Sequence, residues 1–207
     1  MNKRRMKKGL AIVLALVMVF AMTATAFANT NGSVSVQVIM EGEAYIDEVV
    51  TDASIAASAD GNAHLYNVPI GLSQPANYTA ADALIQAWYQ FYGATSYGAD
   101  QISYGWDTSK VGKEGLYFDI YDGVSADAGN YHFVRSYQGL DEDGKTVTYY
   151  EYYWSGNTWN LYIDGSSTPA DKYASRYATS DIDSVQFVYA ETRSENFSVK
   201  APIPGAL

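Results

Sequence analysis

The sequence predicts an α+β fold, a mixed β-sheet wrapped on one amphipathic helix and preceded by an export signal. Three observations predict it. Apolar and polar residues alternate in several short stretches, one segment switches to helical spacing, and Asp-Gly or Gly-Asn pairs separate the alternating stretches. The chain has 207 residues, room for one domain or two small ones. With 48% hydrophobic residues and 19 tyrosines it carries far more packing material than a disordered chain.

Met1 to Lys8 is basic, Leu10 to Met22 is apolar apart from its small alanines, and Ala26-Phe27-Ala28 has the small-x-small pattern that signal peptidase reads. Residues 1–28 are therefore expected to be a signal peptide cut between Ala28 and Asn29. The competing reading is an uncleaved anchor, because the apolar stretch extended to Ala28 just reaches spanning length. A single domain is expected over residues 29–192, and residues 193–207 follow as a tail, either a linker remnant or a docking segment.

Within the domain, Val34, Val36, Val38 and Met40 alternate with Ser35, Gln37 and Ile39. A second β-rich run, Tyr45 to Thr51, makes this a hairpin. Residues 52–78 are small and polar, with Gly61, Pro69, Gly71 and Pro75, and read as a long loop with one short strand near His64 to Val68. Thr79 and Asp82 form a weaker capping box. Ala81, Leu84, Ile85, Trp88, Phe91 and Tyr92 then share one helical face until Gly93 ends the helix. Burying those six side chains is worth on the order of 10 kcal/mol before entropy is subtracted, so that face belongs to the core. Period two returns over residues 115–121, 131–137, 147–154, 158–163 and 185–189. Asp122-Gly123, Asp143-Gly144, Ser155-Gly156-Asn157 and Asp164-Gly165 are read as the turns.

Charge narrows the function. Thirteen Lys and Arg face 23 Asp and Glu, a net −10. Five of the cations (Lys3, Arg4, Arg5, Lys7, Lys8) precede position 9, and every acid follows position 40; beyond the signal, eight cations face 23 acids, a net −15. Such a surface repels phosphate backbones and anionic lipid, so neither nucleic acid nor, after signal cleavage, membrane is an expected partner. The absence of cysteine excludes disulfides, thiolate metal sites and a cysteine nucleophile. Release into the medium or loose surface retention is the expected location, and a cysteine-free exported chain suits a bacterial source.

The run Asn157 to Gly165 with its Trp159-x-x-Tyr162-x-x-Gly165 element, then Ala174 to Tyr177 and Asp181 to Tyr189, resembles the closing half of the transcobalamin C-terminal-like domain. The hairpin at Val34 to Thr51, the helix begun by Thr79-Ala80-Ala81-Asp82-Ala83-Leu84, and Gly115 to Gly123 fall in that family's order, so the resemblance spans about residues 33–192. The chain departs from the family pattern at Asp164 and at Ile182-Asp183. The resemblance implies a β-grasp-like fold. Bacterial members are mostly secreted and of unknown function, and in the vitamin carriers this domain closes over one face of cobalamin.

The catalytic inventory is small. His64, in the loop, and His132, within a strand, sit in no nucleophile motif, and are expected as a surface-loop and an outward strand histidine. Two histidines without cysteine leave zinc in need of two distant carboxylates. Asp141-Glu142-Asp143-Gly144 lacks calcium-loop spacing and reads as a solvated hairpin turn. Glu151, alone among the aromatics of Tyr149 to Trp154, is a candidate for a raised pKa of the glycosidase kind; the plainer reading is a rim residue in water. No phosphate loop or serine elbow occurs. A non-enzyme without a cofactor is expected.

The informative constellation is aromatic. If Leu116, Phe118 and Ile120 face the helix, alternation turns Tyr117, Asp119 and Tyr121 outward; Leu161 and Ile163 point in while Tyr162 points out. Tyr150, Tyr152 and Trp154 share a face, and Trp159 joins the outer set if its strand twists away. The expected ligand-contacting residues are Tyr117, Tyr121, Tyr152, Trp154, Trp159 and Tyr162. Either this aromatic face binds something, or the loops 52–78 and 94–110 fold over it. Two functions follow: a secreted binding module for a corrinoid, another small planar ligand or a glycan, or an extracellular structural or adhesion-type domain whose face or strand edge pairs with another surface protein.

Overall fold

A computed structural model describes residues 32–59, 61–109, 111–127 and 129–206. The expected signal peptide and its cleavage point at Ala28 and Asn29 lie outside these residues. The described chain is mixed α+β, mostly sheet, with two α-helices. It divides into two compact units, one built from the chain up to Val124 plus Trp159–Val188, the other from Ser125–Thr158 and Tyr189–Leu207.

The first unit opens with β1 (Ser33–Met40) and β2 (Glu43–Thr51), an antiparallel hairpin turned by Glu41 and Gly42, both at positive φ. A register shift after Val38 buries Ile39 and releases Met40, which departs from simple alternation. Residues 52–58, expected in a loop, form helix α1 (Asp52–Ser58): Thr51 Oγ1 accepts from Ser54 N and Ser54 Oγ from Thr51 N, both at 3.1 Å. No strand forms at His64 to Val68.

Helix α2 (Ala80–Tyr92) starts and stops where expected, with Asp82 Oδ2 accepting from Thr79 N at 2.9 Å and Gly93 in the left-handed region. Its buried residues run continuously from Ala80 to Tyr89, so the helix is enclosed on every side, not on one face. Phe91 and Tyr92, expected in the core, are 42% and 44% exposed. They lie on the last turn, beyond the enclosed stretch.

Two sheets replace the single one expected. In the first unit, residues of β8 (Ser184–Arg193) and β7 (Thr146–Ile163) extend the hairpin in the order β2-β1-β8-β7. A separate three-stranded sheet has the order β3-β4-β5, from β3 (Ile102–Asp107), β4 (Gly115–Tyr121) and β5 (Val124–Ser125). β3 lies in a segment expected to be loop. The core joins Val34, Val36 and Val38 of β1, Leu84, Ile85 and Trp88 of α2, Leu116, Phe118 and Tyr121 of β4, and Phe187 of β8.

The second unit is sheet, β8-β7-β6 with β6 (Asn130–Leu140), and β9 (Phe197–Val199) paired antiparallel to β7. Ser155-Gly156-Asn157 is not a turn: β7 runs unbroken through it for 18 residues. Gly156 has no positive φ; it is needed because a Cβ there would come 2.8 Å from both Gly129 Cα and the Trp154 ring. Tail residues Phe197–Val199 form β9, and Ile203 N donates to the Tyr152 hydroxyl at 3.2 Å.

Candidate functional site

In the first unit a cavity of about 650 Å³ opens beside β4. Leu116, Tyr117 and Phe118 reach it from β4, Trp159, Asn160 and Leu161 from the end of β7, and Phe187 from β8. The segment from Pro169 to Arg176, which ends in a 3-10 turn at Ala174–Arg176, closes it. That segment is tied down by Ala170 N donating to Leu161 O (2.7 Å) and by Leu116 N donating to Ser175 Oγ (3.0 Å).

The floor is a rigid aromatic stack. The Trp159 and Phe187 rings lie 4.8 Å apart and 10° from parallel, and Trp159 Nε1 donates to Val124 O at 2.9 Å, which fixes the indole. The walls rest on glycines: the Tyr117 ring occupies the space a Cβ of Gly105 would take, and Tyr173 does the same at Gly115. The Tyr173 hydroxyl donates to Asp107 Oδ2, and the hydrogen bond to that carboxylate raises the phenol pKa. The two tyrosine rings stand 6.4 Å apart.

The six expected contact residues separate. Tyr117 and Trp159 line the cavity. Tyr121, expected outside, is 0% exposed, edge-on to Phe118, Trp159 and Phe187, and its hydroxyl donates to Leu84 O at 2.7 Å. The cause is one extra residue: Ser103 pairs with Ile120 but Tyr104 with Phe118, leaving Asp119 bulged and the facing of β4 reversed beyond it. Tyr152 is also 0% exposed, packed between Phe133 and Phe197 in the second unit. Trp154 belongs to the second unit too, half-buried over Gly129 and Gly156. Tyr162 is half-buried in the first unit without lining the cavity. Tyr173, Phe187, Lys172 and Arg176 lie outside the expected set; the sequence signal that marks this segment is two of only eight cations beyond residue 28, four residues apart, beside an aromatic.

Other candidates are occupied structurally. His64, expected on the surface, is buried: Nδ1 meets Asp82 Oδ2 at 2.9 Å and Nε2 meets Pro75 O at 3.0 Å. Both partners are acceptors, so both ring nitrogens donate, and the Asp82 hydrogen bond raises the imidazole pKa against the opposing effect of burial. His132 is half-buried, stacked on Tyr153, with Nε2 2.9 Å from Ser155 Oγ. Glu151 has the opposite of a raised pKa, since hydrogen bonds from Arg135 and Asn196 hold its carboxyl below the usual range. Asp141 Oδ1 accepts from Asp143 N and Lys145 N, closing the expected hairpin turn. Among the described residues no group of three His, Cys, Asp or Glu is placed to hold a metal, and no helix is long and apolar enough to cross a membrane.

No family model, curated protein or solved structure matches the chain.

Proposed function

We propose that the protein is a secreted, non-catalytic binding module that holds a small planar ligand, a corrinoid or the ring face of a glycan, in the cavity of its first unit. The observation that carries this reading is the cavity itself: about 650 Å³, within the range of small-molecule sites, with Tyr117, Phe118, Trp159, Tyr173 and Phe187 around it. The β-grasp-like architecture and kinship with transcobalamin C-terminal-like domains belong to the same proposal. They are supported by the element that carries the resemblance, which contributes Trp159, Asn160 and Leu161 to the lining. The test is titration of the purified protein with cobinamide and cobalamin while tryptophan fluorescence is followed. Saturable quenching is expected, and no quenching at high micromolar ligand defeats the corrinoid version.

One observation favours a second reading, an extracellular interaction domain. In the second unit β6 ends the strand order and exposes Tyr131, Phe133, Val134, Tyr137 and Leu140. An apolar edge strand of this length is a template for pairing with a second chain. Sedimentation velocity separates the two: a dimer or larger species supports pairing through β6, and a monomer at every concentration argues against it.

A further inference from the structure

Cations are scarce in this protein, and the cavity concentrates them. Of the eight Lys and Arg beyond residue 28, Lys113, Lys172 and Arg176 line it, against two carboxylates, Asp107 and Asp171. Both carboxylates already accept tyrosine hydroxyls, Asp107 from Tyr173 and Asp171 from Tyr177 at 3.0 Å. A neutral hydroxyl leaves each carboxylate its charge, so the lining holds three cations against two anions, a net +1. Among the described residues the ion pairs are His64–Asp82 and Arg135–Glu151, neither of which involves the cavity. Arg176 donates to the Glu114 backbone carbonyl at 3.2 Å, and the Lys172 ammonium lies 5.7 Å from the Tyr177 ring centroid. The Glu114 carboxylate accepts from Gly112 N at 2.9 Å; it feels Arg176 electrostatically without contacting it.

A rim of net +1 in a chain whose residues beyond 28 sum to −15 is an electrostatic trap, because the surrounding surface repels anions while the concave site focuses a local field of the opposite sign. The aromatic floor supplies the ring-stacking part of the same site. Resting on the proposed binding function, we infer that the cavity selects an anionic ligand: a planar ring system carrying a carboxylate or phosphate, with the rings on Trp159 and Phe187 and the oxyanion toward Lys113, Lys172 and Arg176.

The test uses two fluorescent probes with the same rings and different charge, 1-anilinonaphthalene-8-sulfonate and neutral N-phenyl-1-naphthylamine, titrated into protein expressed from the full 207-residue sequence. The sulfonate should bind at least about tenfold more tightly than the neutral probe, and its advantage should shrink as salt rises from about 0.05 to about 0.5 M. Lys113→Gln and Lys172→Gln should each weaken the sulfonate about two- to fivefold, Lys172→Arg should restore it, and Lys145→Gln should change nothing. Far-UV circular dichroism confirms that each variant is folded. Equal, salt-independent binding of both probes overturns the anion inference and leaves the planar-ligand reading standing. Sulfonate binding that ignores the cavity variants places the dye elsewhere and overturns it too. If neither probe binds saturably, the anion inference falls, and the cobinamide and cobalamin titration decides the planar-ligand reading by itself.

Discussion

Tyr121 shows how one residue escapes a period-two reading. Alternation along β4 places it beside Tyr117 on the outer face, and it would lie there but for the bulge at Asp119, whose extra residue reverses the facing of everything after it. Bulges depend on the partner strand's register, which a single strand's sequence does not contain. Tyr117, upstream of the bulge, follows the rule and stays 42% exposed. The Tyr121 hydroxyl should therefore behave as a core group: Tyr121→Phe is expected to lower unfolding free energy by about 1 kcal/mol in urea titrations, through loss of its bond to Leu84 O. His64 departs from its expected surface position for a related reason, since its partners Asp82 and Pro75 are set by the path of a loop without periodicity. Its raised pKa has a definite sign. The folded protein binds the imidazolium proton more tightly than the unfolded chain, so the contribution is complete below the unfolded value of about 6.5 and is lost as pH rises through the higher folded value. The stability gap between the parent and His64→Gln should be wider at about pH 6 than at about pH 9. A gap that widens with pH would refute this assignment.

At the scale of elements, strong local signals survived into the fold and weak ones did not. Helix α2 was readable because Thr79, Asp82 and Gly93 mark its ends and its apolar spacing is long enough to recognise. Helix α1 has seven residues with Ile55 as its buried side chain, too short for any period to register. Asp82 does more than the capping box suggests: wholly buried, it also accepts from Leu65 N at 2.9 Å and pairs with His64, pinning the loop to the helix start. Asp82→Ala should cost about 3 kcal/mol or more, because it takes the acceptor from Thr79 N, Leu65 N and the His64 ring at once, and limited proteolysis should then cut first within residues 61–78. Ser-Gly-Asn is turn chemistry and by itself divides β7 in two, whereas in the fold Gly156 serves close packing against Gly129 and Trp154. Gly156→Ala is expected to destabilise the second unit by about 1 to 3 kcal/mol, seen as earlier loss of Trp154 fluorescence on heating. A turn at this position would instead leave the amides of 154–158 unprotected from hydrogen exchange.

For the molecule as a whole, net charge and tyrosine content were both informative, though neither in bulk. The acidity matters by contrast, since three of eight cations beyond residue 28 gather around one cavity. The tyrosines divide among a buried core (Tyr121, Tyr152), a cavity wall (Tyr117, Tyr173) and an exposed edge strand (Tyr131, Tyr137). Two of the six expected contact residues, Tyr117 and Trp159, belong to the cavity. Beside the strand residues, one side of that wall comes from the segment 169–176, whose sequence has no strand or helix period to place it. The central claim is that a planar ligand is held in the first unit against Trp159. Its most direct test is the set of indole N–H signals in two-dimensional NMR during titration with cobinamide and with 1-anilinonaphthalene-8-sulfonate. The Trp159 signal, whose proton is donated to Val124 O, should shift saturably with at least one of them while that of Trp154, in the second unit, stays in place. A Trp159 signal unmoved by both probes, or a shift confined to Trp154, would contradict the account.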